Sequence, residues 1–254
     1  MHHFFVEPDQ VHTDEVVILG TDVNHIRNVL RMRAGEEIVI SDGYGNEYGC
    51  RIDRWTEDTI YAAIQERRRV KAELSSRIIL FQCLPKGDKM ELIIQKAVEL
   101  GAWAIVPVAS RRCVVKLDAK REAGKRKRWQ AIAESAAKQS GRAVIPEILP
   151  ALDFAGALLQ AKELDVCLFP YECADELLAD GIGSAMTQTK EMIRKISSGQ
   201  SVGIFIGPEG GFDKEEAEAA LKMGASPISL GKRILRTETA GLCILSVLMF
   251  HLEE

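Results

Sequence analysis

Phe205-Ile206-Gly207-Pro208-Glu209-Gly210-Gly211-Phe212 is the stretch on which the fold class turns. A short apolar run stops in a loop that packs three glycines around one proline, so its backbone can approach a ligand without Cβ atoms in the way. Asp213 then reads as a helix N-cap, with Glu216 three residues on completing a capping box. A helix and a strand later comes Leu230-Gly231-Lys232-Arg233-Ile234-Leu235-Arg236-Thr237-Glu238-Thr239-Ala240, a second glycine-bearing loop that also feeds a helix. Two such loops imply a small-molecule site lined largely by backbone groups. A tight turn that simply packs well is the competing reading.

Working outward, strand and helix patterns alternate from about residue 76 onward. Ile78-Ile79-Leu80-Phe81 reads as a strand ending before Pro85-Lys86-Gly87; Asp88 caps the next helix with Glu91 in the capping-box position, and Gly101 stops it. Ala104 to Pro107, Asp165 to Pro170, Val202 to Ile206 and Pro227 to Leu230 supply further strands. A longer helix carries Trp129, Ile132, Ala133, Ala136 and Ala137 on one face. This alternation predicts an α/β fold with a mostly parallel sheet, whose ligands bind outside the carboxyl ends of the strands. The last helix, Thr239 to Phe250, is apolar nearly all round, which predicts burial on every side in a deep core or a subunit interface.

Before residue 70 the chain has a different character. Phe4 to Val6, Val16 to Leu19, Glu37 to Ile40, Gly49 to Ile52 and Thr59 to Ile64 are short β-forming runs separated by turn signals such as Asp42-Gly43-Tyr44-Gly45-Asn46. One short helix is expected around Asp22 to Arg31. Five such strands suggest a small closed or partly open β-barrel, with the polar, basic segment Arg67 to Ser76 as a linker. The expected domains are 1–72 and 73–254.

Composition narrows the chemistry. The 254 residues are 46% hydrophobic and 28% charged, enough for a sizeable core and unlike a disordered chain. No apolar run approaches the ~20 residues of a membrane span, and the first residues lack the basic region of a signal peptide. Cys50, Cys83, Cys113, Cys167, Cys173 and Cys243 are scattered without a CxxC pair, as expected of buried thiols in a reducing compartment. The five histidines make no metal-spaced pair with a second His or Cys beyond the adjacent His2-His3, so a cytoplasmic, metal-free protein is expected. No GxGxxG or GxxxxGK[ST] is present, so neither the dinucleotide fingerprint nor a P-loop applies.

The net charge of −4 argues against nucleic acid, but local distribution counts for more than the sum. Arg67-Arg68-Arg69 with Lys71, Ser110-Arg111-Arg112, and Lys120-Arg121 with Lys125-Arg126-Lys127-Arg128 are basic runs. They read either as solvated faces or as a discontinuous phosphate-binding surface. Composition does not choose between them.

The residues resemble the SPOUT class of S-adenosylmethionine-dependent RNA methyltransferases, in its RsmE-like branch, over essentially the whole chain. The resemblance rests on His25-Ile26-Arg27-Asn28-Val29-Leu30-Arg31 with Gly35-Glu36, on Lys86 to Glu91, Lys96 to Gly101, Arg112 and Glu134 to Arg142, and above all on the two glycine loops. It implies a PUA-like barrel followed by a methyltransferase domain with a C-terminal trefoil knot, an exception to the no-knot rule. It further implies a homodimer, a basic cleft for RNA, and methylation of N3 of a uridine in 16S ribosomal RNA within the small subunit. By the same resemblance, Leu168, Phe169, Gly207, Pro208, Glu209, Gly210, Gly211, Leu230, Gly231, Ile234 and Leu235 hold S-adenosylmethionine. Arg27 and Arg31 are placed on RNA, and Arg112, Gln139 and Arg142 on RNA or at the dimer seam, with a helix–sheet polar network as the competing reading for these three.

The chemistry constrains the roles. A sulfonium methyl is already electrophilic, so alignment with a nitrogen lone pair is the main task. Uracil N3 carries a proton, which requires a base or stabilisation of the anion, and it lies on the Watson–Crick edge, so the base must be unpaired or flipped. Arg236 is expected to stabilise the anion, with Glu238 or Glu209 as the base. The alternatives for Glu238 and Glu209 are a helix-dipole acid and a carboxylate satisfying loop donors. A non-catalytic RNA-binding module, a nucleotide enzyme of another α/β class and a methyltransferase of another RNA complete the functional alternatives.

Overall fold

The structure, a computed structural model, describes residues 2–69, 72–116, 119–172 and 184–253. Its contacts divide into two units, Met1–Glu73 with Ala137–Ile145, and Leu74–Ala136 with Pro146–Glu254.

The first unit holds β1 (His2–Phe5), β2 (Glu15–Leu19), α1 (Thr21–Asn24), β3 (Glu37–Ser41), β4 (Asn46–Trp55) and β5 (Thr59–Arg69). Its sheet runs β1-β3-β4-β5-β2, antiparallel except for the parallel β1–β3 pair. Ile38, Ile40, Cys50, Ile52, Ile60 and Ala62 alternate along their strands toward one core, where they meet Val16, Ile18 and Ile26. The expected helix over 22–31 is α1 followed by one π-helical turn, His25–Val29, closing on Arg31 at φ +54°. Three strands match the expected runs to within a residue or two, whereas β4 and β5 are longer. Arg67 to Arg69 belong to β5 rather than to a linker. Antiparallel pairing sets Arg68 opposite Glu47, whose carboxylate accepts from Arg68 Nε at 2.6 Å. Charge on a strand is no barrier to strand formation when the facing strand supplies the opposite sign. Lys71 and Cys173 lie outside the described residues.

The second unit contains β6 (Arg77–Cys83), α2 (Lys89–Glu99), β7 (Ala104–Ala109), α3 (Ala119–Ser140, which continues into the first unit), β8 (Glu147–Ile148), β9 (Leu152–Asp153), α4 (Phe154–Ala161), β10 (Val166–Pro170), α5 (Ala185–Lys195), β11 (Ser201–Ile206), α6 (Lys214–Lys222), β12 (Ser226–Ile228) and α7 (Thr237–Leu252). All its strand pairs are parallel, in the order β12-β10-β11-β6-β7-β8 with β9 also on β7. Phe81 and Phe205 stack at 4.5 Å with rings 2° from parallel, and Phe169 sits 4.5 Å from Phe212. Phe81, Phe169 and Phe205 are fully buried, each contributing roughly 1.5–3 kcal/mol through burial.

The helix ends follow sequence with one exception. Asp213 accepts from Glu216 N while the Glu216 side chain accepts from Asp213 N, the expected capping box. Gly101 ends α2 at φ +86°. At the other end of α2, Asp88 makes no side-chain cap bond at φ −94°, ψ 10°, away from the extended N-cap backbone, and the Glu91 side chain pairs instead with Arg128 at 2.8 Å. The last helix is not buried on every side within the chain: Ile244, Leu245 and Leu248 are enclosed, but Val247 is 42% and Phe250 85% exposed. No described helix is long and apolar enough to cross a membrane.

Candidate active site

In a parallel sheet every strand ends on the same edge, so the segments following β6, β7, β10, β11 and β12 gather there. Hydrogen bonds tie these segments together. Glu209 Oε1 accepts from Lys86 N at 3.0 Å and Lys89 Nζ at 3.1 Å, joining the loops after β11 and β6. Lys89 Nζ also lies 3.3 Å from Glu238 Oε2, so one ammonium bridges a carboxylate from each glycine-bearing segment. Arg112 Nη1 donates to Gly210 O at 2.9 Å, and Arg111 N donates to Glu216 Oε1 at 2.8 Å. Below them a buried chain runs from Gln82 Nε2 to Thr237 Oγ1 (2.9 Å) and from the Thr237 hydroxyl to Gly207 O (2.6 Å).

The glycines of the first loop are there for different reasons. Gly211 sits at φ +66°, a conformation side chains resist, and a Cβ on Gly207 would crowd the Phe212 ring at 3.2 Å. Gly210 has neither reason. A Cβ there would meet only the Arg112 side chain, at an ordinary 3.5 Å. The fold has room for a methyl at Gly210, beside the Arg112 side chain. In the second loop Gly231 adopts φ +115°.

The charges are arranged around this edge. Burial resists ionisation of Glu209, but the Lys86 amide and the Lys89 ammonium outweigh it and hold the carboxyl below its usual range. Its bond to Glu209 in turn raises the Lys89 ammonium above its ordinary value. Backbone donation from Glu216 and the guanidinium of Arg111 depress Asp213. Glu238 Oε2 is buried, with the Lys89 ammonium 3.3 Å away.

Each expected site residue has a definite place. Gly207 to Gly211, Leu230, Gly231, Ile234 and Leu235 lie in the two loops, with Ile234 86% exposed. Arg236 is the exposed N-cap of α7, and Glu238 lies in the first turn. Leu168 and Phe169 are fully buried within β10, between β11 and β12, so their side chains fill the core and the role expected of them is a backbone one. Among the RNA candidates, Arg31, Arg112 and Gln139 are exposed. Arg27 donates to the carbonyls of Thr56 and Glu57 at 3.0 and 2.9 Å. Arg142 is a correction to the RNA assignment. It is 4% exposed and its Nη2 donates to Glu73 at 2.6 Å, which spends its charge inside the first unit. Lys89, Thr237 and Gln82 carried no expected role. Gln82 had a signal, a polar residue ending an apolar strand; Lys89 and Thr237 stood inside quoted motifs without one.

A model for an RNA methyltransferase domain matches residues 72–249, and one for an RNA methyltransferase PUA domain matches residues 18–65. The chain belongs to the RNA methyltransferase family. Relatives of this RNA methyltransferase include the ribosomal RNA small subunit methyltransferase E of Bacillus subtilis, 36% identical over 100% of this chain and 98% of the relative. That of Mesomycoplasma hyopneumoniae is 34% identical over 97% and 98%. The crystal structure of a ribosomal RNA small subunit methyltransferase E from Neisseria gonorrhoeae bound to S-adenosyl methionine superposes with a TM-score of 0.81, at 31% identity over 98% of this chain and 97% of that one. The methyltransferase fold and the PUA-like sheet that precedes it are therefore those of the RsmE-like branch.

Proposed function

We propose that this RNA methyltransferase uses S-adenosylmethionine to methylate N3 of a uridine in 16S ribosomal RNA of the small subunit. The observation that carries the proposal is the meeting of both glycine loops on one edge of the sheet, where the Lys89 ammonium draws Glu209 and Glu238 together.

The loops fit the cofactor. Gly210 keeps the loop backbone slim beside Arg112, although a methyl would fit there. Gly207, Pro208, Glu209 and Gly211 with Leu230, Gly231, Ile234 and Leu235 offer backbone donors and acceptors for adenine and ribose, and β10 contributes through the backbone that follows Leu168 and Phe169. When bound, S-adenosylmethionine supplies an electrophilic methyl. Glu238 accepts the N3 proton, Arg236 stabilises the negative charge left on the uracil, and Lys89 keeps Glu238 beside the site. Glu209 is the poorer base, because the bonds that lower its affinity for a proton also occupy it. Its task is to join the loops after β6 and β11.

The same reading assigns RNA contacts to Arg27, Arg31, Arg112 and Gln139, domains at 1–72 and 73–254, a knotted C-terminal chain and a cytoplasmic location. A homodimer accounts for Leu92 of α2 and Val247 and Phe250 of α7, three exposed apolar side chains on two helices that pack together.

Isothermal titration with S-adenosylmethionine and S-adenosylhomocysteine tests the proposal. Binding at no more than one ligand per chain, unaffected by ATP, is expected, followed by methylation of a uridine in small-subunit RNA. No binding with or without RNA would leave an RNA-binding module as the better account.

A further inference from the structure

Gln82 stands near the end of β6 between Phe81 and Cys83, and all three are fully buried. A buried amide is unfavourable unless its donors and its acceptor are both matched. Here the match is one-sided. Gln82 Nε2 donates to Cys83 O at 3.0 Å and to Thr237 Oγ1 at 2.9 Å, while Oε1 has no hydrogen-bond partner among the described residues. The position a Cβ on Gly241 would take is 3.6 Å from Oε1, so the bare oxygen lies against α7. Turning the amide round does not mend this, because it would set Oε1 against Cys83 O, which can only accept. A methionine would fill the same place without the unmatched oxygen, so packing alone does not account for a glutamine.

The matched half of the amide has a direction. A threonine hydroxyl has one proton to give. With Gln82 Nε2 donating into its oxygen, Thr237 turns that proton to Gly207 O, at 2.6 Å. The peptide after Gly207 contains the Pro208 nitrogen and so has no N–H. Its carbonyl is its one strong hydrogen-bonding group, and the relay holds it. Gln82 is the register partner of Ile206, the residue directly before the loop. Thr237 is the first residue of α7, between Arg236 and Glu238. The relay thus joins the entry of the first glycine loop to the start of the helix that presents both residues assigned to the chemistry. The other ties of that loop, from Arg112 to Gly210 O and from Lys86 and Lys89 to Glu209, lie on its exposed side.

We propose that Gln82 is a positioning residue for methyl transfer: its amide keeps the Thr237 hydroxyl donating to Gly207 O and so fixes the cofactor loop against Arg236 and Glu238. The inference rests on the functional reading above and adds to it a buried residue that touches neither cofactor nor RNA. The main demand of the reaction is alignment of a sulfonium methyl with a nitrogen, and a displacement of about 1 Å costs up to about 10²-fold in rate.

The test is a double-mutant cycle in the full chain. Parent, Q82M, T237V and Q82M/T237V are assayed on whichever substrate the parent methylates, a small-subunit ribosomal RNA transcript or the assembled small subunit. Q82M should lower kcat at saturating cofactor and RNA by about ten- to 100-fold, with the S-adenosylmethionine dissociation constant and the KM for RNA near those of the parent. In the T237V background, where the relay is already broken, the same change should alter kcat by less than about twofold. Equal losses in the two backgrounds mean that Gln82 does not act through Thr237, and overturn the proposal. A loss confined to cofactor affinity or to KM overturns it as well. So does a Q82M chain that keeps kcat while its urea midpoint falls, or failure of both Q82M and Q82L to fold; each makes Gln82 a folding residue and leaves the methyltransferase reading intact. A parent chain that transfers no methyl from S-adenosylmethionine removes that reading and this inference with it.

Discussion

Thr237 donates its hydroxyl to the carbonyl of Gly207 at 2.6 Å, across thirty positions of sequence. The bond locks the start of α7 to the first residue of the β11 loop, and Gln82 completes the link from β6. Thr237 is 5% exposed, so no water replaces what its loss would leave open. Thr237→Val should cost about 1–3 kcal/mol in urea unfolding and weaken S-adenosylmethionine binding. Thr237→Ser, which keeps the hydroxyl, should approach the parent in both.

Gly210→Ala separates folding from ligand approach. The added methyl meets Arg112 at an ordinary contact distance, so the melting temperature should hold. Overpacking by one methyl costs about 1–3 kcal/mol, or roughly five- to 150-fold in affinity, and titration should show the loss for S-adenosylmethionine. Unchanged affinity would move the cofactor away from this loop.

Glu238 and Arg236 divide the chemistry. Glu238→Gln keeps the shape and removes the proton acceptor, so kcat should fall by about 10²–10⁴ with cofactor affinity retained. Arg236→Ala should likewise bind cofactor and lose turnover. Full activity in either variant takes that residue out of the mechanism.

Glu209 gives a pH signature. Its carboxyl ionises more readily in the folded chain than at the ordinary 4.5, so the unfolded state binds the proton more tightly. The stabilisation is fully present above that value and is lost as pH falls through the lower folded value. The stability difference between the parent and Glu209→Gln should therefore shrink in acid below about pH 4.5 and be flat near neutrality. A difference that grows in acid would reverse the assignment.

Glu73 holds the first unit together where the chain returns to it. Its carboxylate accepts from Arg142 and from the amides of Ala143 and Val144, each at 3.1 Å. Glu73→Ala removes the carboxylate partner of the buried Arg142 guanidinium and should cost about 3–5 kcal/mol, read by chemical denaturation. A loss under 1 kcal/mol would mean that the guanidinium finds water.

What sequence conveyed and what it withheld follow from the range of the interactions. The Asp213–Glu216 box and the Gly101 stop depend on neighbours three or four residues away, so they are legible along the chain. The pairing of Glu91 with Arg128, 37 positions on, is not. Arg142 looked like an RNA ligand because its partner Glu73 is 69 residues distant. Leu168 and Phe169 stand in the strand the sequence indicates, but their burial depends on β11 and β12 enclosing them. The glycine loops were readable as a ligand site. That Lys89 binds both of its carboxylates was not, because no local pattern brings Glu209 and Glu238 to one ammonium.

The strand order also sets a timetable for synthesis. β6 pairs on one side with β7, which follows it closely, and on the other with β11, whose first residue Ser201 comes 118 positions after Cys83. At ~5–20 residues per second the ribosome takes roughly 6–24 s to make that interval. Through it one side of β6 has no strand to bond, and an unpaired apolar edge invites pairing with other chains. Such a nascent chain should depend on chaperone cover until Ser201–Ile206 emerges and closes the gap.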